Sequence, residues 1–155
     1  MYVFDTSTFT QLFRSYYPDR FPTLWQHFDR LVDAGNVTST REVRREIEDG
    51  PVRALTEWAG RNTDLFPAPT SDEARFVSRI FQVTRFQQVI EQRKLLKGGK
   101  NADPFLIARA QTISGMVVTM ESEPPNGVKI PNICRHFGIN CTSLEGFMER
   151  EDWQF

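Results

Sequence analysis

Four carboxylates stand where an α/β chain places its chemistry. Asp5 directly follows the apolar run Tyr2-Val3-Phe4, and Glu121 closes the run Met116-Val117-Val118-Thr119-Met120. Asp103 opens a helical segment that leads into the second run. Glu46 lies three residues after Val43 and one before Ile47, at the margin of the buried face of its helix. Parallel sheets bind ligands at the carboxyl ends of their strands, so of the 20 Asp and Glu residues these four are the ones that can converge. Carboxylates forced together repel one another, and a hard divalent cation with oxygen ligands relieves that repulsion. Such an ion also lowers the pKa of a bound water and makes it a nucleophile.

Elements must bring these residues together, and the apolar pattern supplies them. Short apolar runs alternate with helical periodicity, with no Gly/Ser linker or internal repeat, which predicts one α/β domain over 1–155. The strands are apolar rather than alternating, so the sheet is read as mostly parallel and covered on both faces, a three-layer α/β/α sandwich. Strands are expected at Tyr2-Val3-Phe4, Asn36-Val37-Thr38, Met116 to Thr119 and Ile139-Asn140-Cys141. Ser or Thr followed three residues later by Glu or Gln predicts helix starts at Thr8, Ser39, Thr70 and Thr142. Pro51 is placed in the first turn of a helix, and Asp103-Pro104 reads as N-cap and first-turn proline. Gly35, Gly50, Gly60, Gly115 and Gly138 are expected to stop helices. The helix from Thr70 carries Phe76, Val77, Ile80, Phe81, Val83 and Ile90, and can extend to Leu95. Its apolar stripe is read as core, with an excess that could serve a homodimer or a partner's helix.

Composition narrows the function. The chain has 155 residues, 39% hydrophobic and 25% charged, with 13 Phe and three Trp, enough for a core without disulfides or zinc. No apolar run approaches the ~20 residues of a membrane span, and no secretory leader is visible, so a cytoplasmic protein without a membrane partner is expected. Two cysteines, Cys134 and Cys141, suit a reducing compartment and read as buried thiols rather than zinc ligands. Lys and Arg number 19 against 20 acids, for a net charge of -1. Nucleic acid would therefore be held by a local site, not by bulk charge.

The opening strand with Asp5-Thr6-Ser7, the segment Ser39 to Ile47, Ala102-Asp103 with Ala108 and Ala110, and Val117-Val118-Thr119-Met120-Glu121 together carry a family likeness. In their order and strand context the chain resembles the PIN-domain nucleases, which include the VapC-type toxins of toxin–antitoxin pairs. The resemblance implies four acids, Asp5, Glu46, Asp103 and Glu121, binding Mg²⁺ or Mn²⁺ for RNA hydrolysis, and a protein antitoxin that covers the cleft. Asp5 and Asp103 are assigned as the main ligands, Glu46 and Glu121 to a second ion or to metal waters, and Ser7 and Thr119 as supporting hydroxyls. Two departures stand out. Glu121 occupies a position where the family commonly has Asp, with Glu123 as a nearby competitor, and Ser7 replaces a frequent Asn.

Each residue also has a plainer reading. Asp103 can serve only as an N-cap, and Glu46 as a solvated helix residue. Arg41, Arg44, Arg45 and Arg53 form either an RNA-contacting patch or the wet face of two helices. Lys100, with Lys97 and the intervening Gly98-Gly99, could swing onto a phosphate. An Asp after the first strand also fits a haloacid-dehalogenase-like phosphatase, although that family expects an acid where Ser7 stands. The remaining alternative is a catalytically inactive interaction module on the same fold.

Overall fold

Residues 1–88 and 102–155 are described by the computed structural model. The chain begins with strand β1 (Tyr2–Phe4), which runs into helix α1 (Thr6–Ser15), and continues through α2 (Pro22–Asp33), β2 (Val37–Thr38), α3 (Arg41–Asp49) and α4 (Arg53–Arg61). A 3-10 turn at Thr63–Leu65 precedes α5 (Ser71–Gln82). Then follow α6 (Asp103–Ile113), β3 (Met116–Val118), α7 (Ile130–Phe137), β4 (Cys141–Thr142) and α8 (Leu144–Arg150). The four strands form one sheet in the order β2-β1-β3-β4, and every pair is parallel. Helices cover both faces, giving the three-layer α/β/α sandwich.

Burial explains why the strands are uniformly apolar. Successive strand residues face opposite sides, and Val3, Phe4, Val117 and Val118 are all 0% exposed, so neither face is wet. Phe4 meets Phe9 of α1, Phe28 of α2 and Phe147 of α8 at ring-centre distances of 5.1–5.6 Å. Gly115 is needed where β3 begins. A Cβ there would lie 3.1 Å from Val3 Cγ2 and 3.2 Å from the Met1 carbonyl oxygen.

Helix starts follow the expected chemistry but not always the expected residue. Thr70 and Glu73 form a complete capping box on α5, whereas α1 is capped by Asp5 rather than Thr8, and α3 by Thr40 rather than Ser39. Ser143 replaces Thr142 as the cap of α8. Ser39 is diverted because its hydroxyl donates to the Phe4 carbonyl across the sheet at 2.6 Å, and Thr142 is held in β4 opposite Val118. Val52 caps α4, so Pro51 precedes the helix, and α4 continues through Gly60 to Arg61. Ser114, in the left-handed region at φ 53°, closes α6 one residue before Gly115. Gly35 and Gly138 do take positive φ at the ends of α2 and α7. Helix α5 stops at Gln82, where Val83 turns extended, and residues 84–88 are helical again. Phe76, Val77 and Ile80 enter the core as expected, while Ile90 and Leu95 lie outside the described residues.

No helix among the described residues is long and apolar enough to cross a membrane.

Candidate metal centre

Strand β1 delivers Asp5 to the carboxyl edge of the sheet. Register pairs Phe4 with Val118, and the Asp5 amide donates to the Val118 carbonyl at 3.2 Å, so Asp5 stands beside Thr119. Because no loop separates β1 from α1, Asp5 also caps that helix through the Thr8 amide at 2.8 Å. Three hydroxyls surround the carboxylate. Ser7 Oγ lies 2.8 Å from both oxygens, Thr119 Oγ1 2.6 Å from Oδ2, and Thr8 Oγ1 2.7 Å from Oδ1.

Thr8 creates a conflict in this shell, since its oxygen is also 2.8 Å from the Val118 carbonyl. One hydroxyl proton cannot serve both acceptors. The hydroxyl therefore donates to Asp5 or to Val118, not to both at once. Burial pushes the Asp5 carboxyl above its ordinary value, while the bonds from Thr119, Thr8 and Ser7 oppose the shift. The residue is 5% exposed.

The other acids arrive from three separate segments. Glu46, half-buried on α3, accepts from Thr6 Oγ1 at 2.8 Å. Asp103 is the first residue of α6 and 6% exposed. Ala102 holds the N-cap position and no side chain caps the helix, so the expected capping role of Asp103 is corrected. Glu121 follows β3 and accepts from the Ile130 amide at the start of α7 at 2.9 Å. Asp5, Glu46, Asp103 and Glu121 line one cavity of about 190 Å³, together with Thr6, Ser7 and Val43. Glu123 does not line it and is bound instead by Arg135, so of the two competing acids Glu121 is the one in the cavity.

The donor set is all oxygen, which suits Mg²⁺ or Mn²⁺ rather than a thiophilic ion. Among the described residues no three His, Cys, Asp or Glu side chains are gathered tightly enough to share one ion.

Several expected residues fall elsewhere. Ser7 and Thr119 support Asp5 directly. Thr8, expected only as a helix cap, joins them at Asp5, and Thr6 supports Glu46. Lys100, Lys97 and Gly98-Gly99 lie outside the described residues. Arg41, Arg44 and Arg53 are ion-paired to Glu42, Glu48 and Glu57. Cys134 is a buried free thiol whose pKa is raised by its hydrogen bond with Cys141 and by burial, with Asp103 and Glu121 adding to the shift, whereas Cys141, expected to be buried as well, is only partly so.

The chain matches the family model described as "Domain of unknown function (DUF4411)" over residues 2–155 and belongs to that family. Comparison with curated proteins gives no match.

Proposed function

We propose that this member of the DUF4411 family is a metal-dependent endoribonuclease of the PIN-domain type. The reading rests on one observation: acids from four segments far apart in sequence, at β1, α3, α6 and the end of β3, line a single cavity at the carboxyl edge of a parallel sheet. Two of them, Asp5 and Asp103, are nearly buried.

In this reading Asp5 and Asp103 hold the ion, and Glu46 and Glu121 hold its waters or a second ion. Bound Mg²⁺ or Mn²⁺ would supply an activated water and neutralise charge developing on the phosphodiester. Ser7 and Thr119 fix the Asp5 carboxylate in one orientation, with the Thr8 amide on its Oδ1. The Ile130 amide does the same for Glu121. Preorganised ligands of this kind spare the site reorganisation during the reaction. A toxin role, with an antitoxin covering the cavity, extends the same resemblance.

Purified protein incubated with RNA and Mg²⁺ or Mn²⁺ is expected to cleave it, EDTA to stop cleavage, and Asp5→Asn or Asp103→Asn to abolish it with the fold retained. Unchanged cleavage in both variants removes these residues from the site. No cleavage by the native chain with either ion leaves a non-catalytic module. Growth arrest on expression, absent in Asp5→Asn, tests the toxin role.

A further inference from the structure

Two further cavities share wall residues with the acid cavity or with each other. Glu121 lines both that cavity and a second one of about 540 Å³, whose walls include Thr119, Asn140, Thr142 and Ser143. Glu123 and Arg135 line the second cavity and also a third, of about 500 Å³, with Arg85, Asn132 and His136. Shared wall residues thus join three cavities in sequence, and their chemistry changes along the way. The first is acidic, the second carries uncharged hydroxyls and amides beside Glu121, Glu123 and Arg135, and the third adds Arg85 and an imidazole.

We propose that these adjoining cavities form one groove that binds the single-stranded RNA flanking the cleaved bond, with Arg135 and Arg85 as phosphate contacts and His136 as a base-stacking surface. The proposal rests on the nuclease reading and names the path its substrate takes. The second and third cavities each fall within the range that encloses a small ligand, the size class of one unstacked nucleotide. Arg135 is 78% exposed and paired with Glu123. An exposed ion pair contributes little, so the guanidinium can exchange that carboxylate for a phosphate, which it can grip with two parallel bonds. Arg85 lies 4.8 Å over the Phe86 ring, and His136 packs edge-on against Phe86 at 5.2 Å and against Phe137 at 4.8 Å. Phe86 is 0% exposed. These contacts hold an exposed guanidinium and an exposed imidazole on a fixed aromatic base, the planar surfaces on which unpaired bases stack.

The test measures fluorescence anisotropy of a labelled, unstructured 12-nucleotide RNA with Mg²⁺, in an Asp5→Asn background so that binding is read without cleavage. Arg135→Gln is expected to weaken binding about tenfold and to lower the salt slope by about one, with Arg85→Gln adding to both. Arg53→Gln, on the paired face of α4, should change affinity less than about twofold. A duplex of the same sequence should bind at least about tenfold more weakly than the single strand and be insensitive to Arg135→Gln. Tight RNA binding that Arg135→Gln and Arg85→Gln leave unchanged overturns the groove and leaves the nuclease reading standing. Equal loss for single strand and duplex overturns the single-strand path. Failure of the native chain to cleave RNA, together with no binding in the Asp5→Asn background, overturns the nuclease reading and the groove with it.

Discussion

Thr119 Oγ1 donates to Asp5 Oδ2 at 2.6 Å while accepting the Glu121 amide at 3.1 Å, so one hydroxyl ties together two acids that are 116 positions apart in the chain. The relay has a direction, because the amide proton of Glu121 leaves the hydroxyl proton free to point at Asp5. Thr119→Val keeps the shape and removes both bonds. In Mg²⁺ titrations of RNA cleavage its half-saturating concentration is expected to rise about 10–100-fold, the usual effect of losing a group that orients a ligand. Thr119→Ser should restore most of the affinity. A Thr119→Val enzyme with native Mg²⁺ dependence would separate this hydroxyl from the metal.

Asp5 should also trade stability for function. Burial raises its pKa in the folded state, so the folded chain binds more protons than the unfolded chain between the two values, and stability falls as pH rises through that window. The cost grows as pH rises above the ordinary Asp value of 3.8 and is gone below it. Asn caps helices about as well as Asp, and the surrounding hydroxyls can turn to match an amide. Asp5→Asn is therefore expected to melt above the native protein at pH 7 in EDTA, to lose that advantage as pH falls below 3.8, and to cut cleavage by at least about a hundredfold. Lower melting at pH 7 would show that the carboxylate stabilises the fold.

What the sequence reveals of this architecture depends on how many neighbours decide each feature. Val3-Phe4 and Val117-Val118 are buried on both faces, so composition alone marks them as inner strands, and the acids that follow them are marked with them. Caps are less legible. Ser39 and Thr40 have nearly equal capping strength, and the choice goes to Thr40 because Ser39 is claimed by the Phe4 carbonyl, 35 residues away. Thr8 is hidden for a similar reason, since its partners Asp5 and Val118 meet only after β1 and β3 pair. Which of Glu121 and Glu123 enters the cavity likewise depends on Ile130 and Arg135, which fold back from α7.

The same contrast predicts different behaviour for the two glutamates. Glu121 lines the cavity and holds the first amide of α7, whereas Glu123 is joined to an exposed arginine. Glu121→Gln keeps an oxygen for the Ile130 amide but loses the charge. It should lower cleavage by about 10–100-fold with less than about 1 kcal/mol change in stability. Glu123→Gln should leave the Mg²⁺ requirement unchanged, and by freeing Arg135 it should tighten single-stranded RNA binding. Parallel cleavage assays and urea denaturation of the two variants separate these outcomes, and a larger cleavage defect in Glu123→Gln would reverse the assignment.

Arg109 is expected to matter for the site without touching it. Its guanidinium donates to Thr38 Oγ1 on β2 at 3.0 Å and to Glu73 Oε1 on α5 at 3.2 Å, fastening α6, whose first residue is Asp103, to both elements. The Glu73 side chain is only 4% exposed, and its other oxygen already accepts the Thr70 amide at 2.6 Å. Arg109→Met removes the positive charge and leaves a buried carboxylate without its ion-pair partner, a change that costs about 3–5 kcal/mol. The double variant Arg109→Met, Glu73→Gln removes that stranded charge and should recover more than half of the loss, since an uncharged amide can still meet the Thr70 amide through its oxygen. Urea denaturation of the two variants gives the coupling directly. A double variant as unstable as Arg109→Met alone would place the role of Arg109 in packing and its bond to Thr38 rather than in neutralising Glu73.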